Sequence, residues 1–411
     1  MASPVLPQDV FDEIISQLDD ETSTLKSCSL VCRSPRNSPV PDCNSIPIER
    51  IETGSDRVAR ILKQVISHPW HEDPVLHFVG EDFGDFLQLR EKLEEQRVLG
   101  TKPKLSYIAK SRCIMCTWPF PVHEVPLTQF GTLVQGFEPY MSGPTDILSI
   151  RTNTGDVDSE TGDFTIPDLL LGAWSEADQA NRYFVVVECA KSQSMSNARD
   201  AVKRQVAMHP AIVMAVIINV TESPRYSSPR EGSGAWTRFK NNSAEILTMK
   251  EFMNLCTPSE NFPREISVLD HSWCSIKDIE YHVWLKRQDQ ETINFDNPNI
   301  TEYTSGFFPD SMTEVRSMMN EGFKRVNGLL QGLCKENAAD ANTSSLEGFQ
   351  LQFPENGTPS FEKFEKKVDI SFKEQAYLRF RIWFMKCFRG QKRCNDGILE
   401  SEGGERGAGN S

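Results

Sequence analysis

The sequence predicts an α/β protein of the α+β kind, with a central mixed sheet, flanking helices and a small N-terminal helical segment. Three observations carry this reading. Residues 146–151 (DILSIR), 164–171 (FTIPDLLL) and 182–189 (RYFVVVEC) are short runs of strand-forming residues parted by polar turn sequences. Residues 196–208 (SNARDAVKRQVAM) open on a serine placed to cap a helix and put Ala198, Val202, Val206 and Ala207 on one face. Residues 211–220 (AIVMAVIINV) are apolar almost throughout, as a strand is when its sheet is covered on both faces. The order is β, β, β, α, β over 145–220, the core of a larger domain spanning 55–330.

The remaining elements follow in chain order. Residues 1–45 begin with two short amphipathic helices: Val10, Phe11, Ile14, Ile15 and Leu18 recur at helical spacing after Leu6-Pro7, and Leu25, Cys28, Leu30, Val31 and Cys32 repeat the pattern. Four prolines in 34–47 then exclude regular structure. Helices are expected near 57–67 and 83–98, with a histidine-containing loop between them. Pro119, Pro121 and Pro126 argue for loops over 105–132. Residues 221–242 read as an exposed basic insertion anchored by Trp236 and Phe239. A helix near 244–255, two strands (ISVLDHSWCSI and DIEYHVWL) and a helix near 312–333 come next. Residues 331–360 read as a mobile polar segment, 361–390 as a C-terminal strand or amphipathic helix packing on the main domain, and 391–411 as a disordered tail.

A net charge of -14 argues against a general polyanion binder but leaves room for a local basic patch. The longest apolar run is about half of what a membrane span needs, and the first residues carry neither a signal-like apolar core nor a basic presequence. No membrane partner and an intracellular location, cytoplasmic or nuclear, are therefore expected. Eleven cysteines, an odd number spread along the chain, argue against a disulfide scaffold. Cys113 and Cys116 have the spacing of half a zinc site, but no second CxxC follows, and His123, Cys43 and His71 are the only candidates to complete it. No zinc is expected.

The chemistry concentrates on two acids. Glu188 ends the apolar run YFVVVE, and Asp168 lies inside IPDLLL, predicted as the neighbouring strand. A buried carboxylate needs a partner, and two of them converging at a sheet rim can hold Mg²⁺, which takes hard oxygen ligands. The hairpin, Pro-Asp, apolar strand ending in Glu, helix and apolar strand resemble the core of the PD-(D/E)XK, restriction-endonuclease-like superfamily. The stretch VVVECAKSQS after Pro-Asp is similar to that of a group of uncharacterised fungal proteins with this core. The resemblance implies Asp168 and Glu188 as metal ligands for Mg²⁺, an earlier carboxylate from Glu91, Glu81 or Asp85 (Glu91 preferred, since it belongs to the helical run), and nucleic acid as partner. The superfamily's lysine falls on Ala190 here, while Lys191 stands one place later. In a regular strand Lys191 points away from Glu188. A bulge could re-aim it into a catalytic role, or Gln193, Lys203 or Gln205 could stand in. Lys191, Arg199, Lys203, Arg204, Arg225, Arg230, Arg238 and Lys240 supply positive charge around this core.

The N-terminal stretch LPQDVFDEIISQLDDETSTLKSCSLVCRS resembles the first part of an F-box. That resemblance implies binding of a Skp1-type ubiquitin-ligase adaptor through Leu6, Pro7, Val10, Ile14, Ile15, Leu18, Leu25, Leu30, Val31 and Cys32. Where an F-box continues into a third helix this chain has its proline-rich break, so weak or absent adaptor binding by 1–45 alone is expected. The readings carried forward are a degenerate nuclease-like protein with Mg²⁺ binding and little or no cleavage, an active Mg²⁺-dependent nuclease, an F-box-type substrate receptor, and a structural or interaction protein.

Overall fold

The computed structural model describes residues 54–68, 75–95, 103–135, 148–191, 194–240, 246–257, 264–341 and 361–389. The F-box-like stretch with its adaptor-contact candidates, Cys43, His71, Gln193 and the tail 391–411 lie outside the described residues.

Two sheets are built from the chain. The first takes β1 (Val75–Val79), β2 (Lys104–Ile108), β3 (Cys113–Thr117), β5 (Asp156–Val157) and β6 (Phe164–Thr165) in the spatial order β1-β3-β2-β6-β5, all antiparallel. Helices α1 (Gly54–Ser67) and α2 (Phe83–Glu95) pack on it, burying Val58, Ile61, Val65, Phe86 and Leu89 against Ile114 and Phe164. The apolar spacing of α1 is that of a helix with one buried stripe. Cys113 and Cys116 are free, buried thiols on β3, three residues apart and hence on opposite faces of the strand.

The second sheet holds the expected core. Its members are β4 (Leu148–Thr152), β7 (Leu169–Ser175), β8 (Ala180–Ala190), β9 (Met214–Glu222), β10 (Cys256–Thr257), β11 (Arg264–Val268), β12 (His271–Leu285) and β13 (Tyr303–Phe308), in the order β10-β11-β12-β9-β8-β7-β4 with β13 also on β12. Strands β8 and β9 are parallel, Glu188 facing Ile217, and the other pairs are antiparallel, so the sheet is mixed. The crossover between them is α4 (Met195–Met208), capped by Ser194, whose hydroxyl accepts from the Asn197 amide at 3.2 Å; Ser196 lies inside the helix.

Both faces of this sheet are covered, which is why β9 reads as continuously apolar. Val186, Ala190, Ala215 and Ile217 bury against Ala198, Val202 and Val206 of α4. Val185, Val187, Cys189, Val216 and Ile218 bury on the other side, with Phe130, Phe323, Phe380 and Trp383. The latter come from α3 (Pro121–Gln135), α7 (Thr313–Ala341) and α8 (Phe361–Phe384). At the bulge between Leu171 and Gly172 the backbones approach so closely that a Cβ on Gly172 would sit 2.2 Å from the Arg182 carbonyl oxygen. Only glycine fits there.

Several expectations are corrected. Residues 164–171 are two strands, not one: β6 ends at Thr165 in the first sheet, β7 begins at Leu169 in the second, and Ile166-Pro167-Asp168 carries the chain between them. The proline-marked region 105–132 is mostly regular. Pro121 opens α3, where its missing N–H costs nothing, and the hydrogen bond lost at Pro126 is offset by burial of Val122, Leu127 and Phe130. Residues 75–79 form a strand inside the stretch read as a loop. Residues 221–242, read as an insertion without regular structure, contain α5 (Gly234–Lys240), which buries Phe239 as an anchor together with Ala235. Helix α6 (Met249–Asn254) opens on a Thr248–Glu251 capping box. Residues 334–341 continue α7, so the polar segment does not begin at 331. The C-terminal element is helical: Val368, Phe372, Ala376 and Phe380 recur every fourth residue and all are buried. No helix among the described residues is long and apolar enough to cross a membrane.

Candidate functional site

The two sheets meet at the crossover 166–168, and there a cavity of about 50 Å³ opens, lined by residues of both. The residues Lys104, His123, Asp168, Glu188, Lys191, Arg204 and Gln205 are among its walls. It has space for a few waters.

Asp168 is 1 % exposed, and each carboxylate oxygen lies against a partner, although Oδ1 accepts no hydrogen bond. Oδ2 accepts from the Cys189 amide at 2.6 Å and lies 3.0 Å from His123 Nε2, while Oδ1 touches the Lys104 ammonium. Glu188, on the α4 side of β8 with Val186 and Ala190, reaches back so that its Oε2 accepts from the Asp168 amide at 3.3 Å. The two acids are thus brought together. His123 Nδ1 lies 3.1 Å from Glu124 Oε1, extending the cluster on α3.

Electrostatics in this cluster are set by burial. Desolvation lowers the Lys104 ammonium from its ordinary range, opposed by the charges of Glu188 and Glu124. Desolvation also lowers His123, against the pull of Glu124. Burial pushes the Glu124 carboxyl up, but the hydrogen bond and charge of His123 outweigh it and hold that carboxyl below its usual value. The Cys189 thiol is pushed well above its normal range by burial, which leaves it protonated and unsuited to act as a nucleophile.

The other sequence candidates do not join the two acids. Lys191 turns its amine away from the acids, 4.1 Å above the Phe120 ring, and its strongest charged neighbours are Arg379 and Glu222. This is the orientation that strand alternation predicts, and no bulge re-aims it. Its amine is buried without a hydrogen-bond partner, and desolvation lowers it to about 8. Lys191→Met is therefore expected to raise stability by roughly 1–3 kcal/mol at pH 7. The folded state binds this proton less tightly than the unfolded one, so stability of the native sequence rises between pH of about 8 and about 10.5. The gain from the substitution should shrink over that window; a gain independent of pH in urea titrations would contradict this placement.

Glu91 is exposed on α2 and lies outside the cavity. Glu81 and Asp85 are buried but bound by arginines of α1: Arg60 Nη2 donates to Glu81 at 3.1 Å and Arg57 Nε to Asp85 at 3.1 Å. Gln205 lines the cavity from α4 and donates to Thr165 Oγ1, while its buried Oε1 accepts no hydrogen bond. Within the expected basic patch, Lys203 pairs with Asp296 at 2.6 Å and Lys240 with Glu231 at 3.4 Å, and Arg199 lies over Trp284. Lys104 and Glu124 were not legible as site residues. Lys104 precedes the buried run Leu105–Tyr107, and a lysine opening such a strand is the one signal that points to it.

Mg²⁺ does not fit this set of residues as they stand. Both oxygens of Asp168 already have partners, one of them an ammonium, and among the described residues no three His, Cys, Asp or Glu side chains converge as metal ligands. No protein-family model matches the chain, and no curated protein is similar enough to match it.

Proposed function

We propose that the chain is a degenerate member of the nuclease-like class, with little or no phosphodiester cleavage and weak affinity for Mg²⁺. One observation carries the reading. Asp168 and Glu188 meet beside the start of a β–α–β crossover with parallel strands, where a cation site would be built, yet the Asp168 carboxylate is saturated by Lys104, His123 and the Cys189 amide. A divalent ion needs those oxygens. Cleavage would further need a cation free to meet the developing phosphate charge; Lys191 lies over Phe120, and the Lys104 ammonium is taken up by Asp168. The cavity admits a few waters rather than a polynucleotide strand.

The full chain should be incubated with single- and double-stranded DNA and RNA and Mg²⁺ or Mn²⁺, beside Asp168→Asn and Glu188→Gln. The expected result is no cleavage above that of either variant. Metal-dependent cleavage by the native sequence that both substitutions abolish would overturn the reading.

A further inference from the structure

We infer that Lys104 is a built-in counter-ion: its ammonium occupies the charge position of a divalent cation between Asp168 and Glu188, and its removal would open a cation site that the native chain keeps closed. The inference rests on the proposed reading of the two acids as a former metal pair.

Asp168 is 1 % exposed, and a buried carboxylate is strongly destabilising without an opposite charge or several donors. The Cys189 amide and His123 Nε2 meet Asp168 Oδ2, and the Asp168 amide donates to Glu188. Lys104 adds an ammonium at Asp168 Oδ1. Its side chain is 12 % exposed, its ammonium touches Asp168 Oδ1, and the charge of Glu188 acts on it as well. An ammonium and a divalent ion cannot share this position: both seek the same oxygens, and like charges at contact distance repel each other.

Lys104 also comes from outside the element that carries the acids. It opens β2, held in register opposite Thr117 of β3, whereas Glu188 belongs to the second sheet and Asp168 to the crossover that enters it. The ion pair therefore ties the two sheets together at the crossover. A metal held by the same acids would make no such tie, so Lys104 serves the docking of the sheets where a cation would serve chemistry.

The test uses the full chain with Lys104→Met and Lys104→Gln and Mn²⁺ alone as probe, read by calorimetry and by thermal unfolding. The native chain is expected to show no saturable heat at millimolar Mn²⁺. Each variant should bind with an affinity at least about tenfold higher and be stabilised by the ion, and adding Glu188→Gln should remove both effects. If the variants fold poorly, recovery of cooperative unfolding on adding Mn²⁺ supports the inference, and no recovery overturns it. Folded variants that bind no better than the native chain also overturn it. Tight Mn²⁺ binding by the native chain overturns the counter-ion assignment and the weak metal affinity of the proposed function, whereas its lack of cleavage is tested separately by the nuclease assay.

Discussion

Arg379→Met should lower the stability of the protein by about 3–5 kcal/mol, read as a fall in the urea midpoint at unchanged slope. Arg379, on α8, is 3 % exposed and grips Glu222 at the end of β9 through both guanidinium ends, Nη2 to Oε2 at 2.9 Å, while Nη1 also donates to the Trp273 carbonyl at 2.9 Å. Its guanidinium lies 4.2 Å from the Tyr226 ring. Without it, Glu222 is left buried with Lys191 as its remaining cationic neighbour. The pH dependence has a definite sign. Burial raises the Glu222 carboxyl, but the Arg379 hydrogen bond and charge outweigh it and hold the group below its ordinary 4.5. The unfolded state then binds the proton more readily, so this contribution is present above the ordinary carboxylate value and is lost as pH falls through the folded one. The penalty of the substitution should shrink in acid, and a penalty as large at pH 3 as at pH 7 would show that packing, not charge, is what Arg379 contributes.

Trp273→Ala should cost a comparable 3–5 kcal/mol, roughly, the usual range for emptying a buried indole site. Trp273 is 1 % exposed at the meeting point of β12, α6 and α8, with its ring centroid 5.4 Å from Trp383, 5.5 Å from Phe380 and 6.0 Å from Phe252. Its Nε1 donates to the Val268 carbonyl at 3.1 Å across the β11–β12 hairpin, so the substitution also orphans that acceptor. A loss below about 1 kcal/mol in the same urea titration would mean that the surrounding rings close over the space. Because this cluster lies on the α8 side of the sheet while Glu188 lies on the α4 side, Mn²⁺ titrations of this variant should match those of the native chain.

Much of the core was legible because its signals are local. Val185–Val187 and residues 214–220 have to be strands covered on both sides, since their apolar residues do not alternate with polar ones. The helix between them announces itself by its spacing. A carboxylate at the end of YFVVVE has to have a partner, and that alone marked Glu188. Elsewhere local signals were outweighed. The prolines of α3 and the polar start of β1 read as loops, but burial against the sheets decided otherwise, because apolar area removed from water outweighs the loss of one helical hydrogen bond. The C-terminal element read equally as strand or helix until its every-fourth-residue stripe was seen to face a core.

The sequence by itself determined that two acids, Asp168 and Glu188, are held near the ends of apolar segments and that Lys191 departs from the spacing that would aim it at them. Those statements need only the alternation of a strand and the high free energy of an unpaired buried charge. Only the tertiary structure decided what the acids are paired with. Lys104 lies 64 positions before Asp168 and 84 before Glu188 in the chain, and His123 belongs to a helix that local rules read as a loop. They reach the same cavity because the chain crosses from one sheet to the other at Ile166–Asp168, and a crossover between sheets is a consequence of how whole layers dock. No local pattern encodes that docking, so the identity of the counter-ion, and with it the difference between a metal site and a closed ion pair, belongs to the fold.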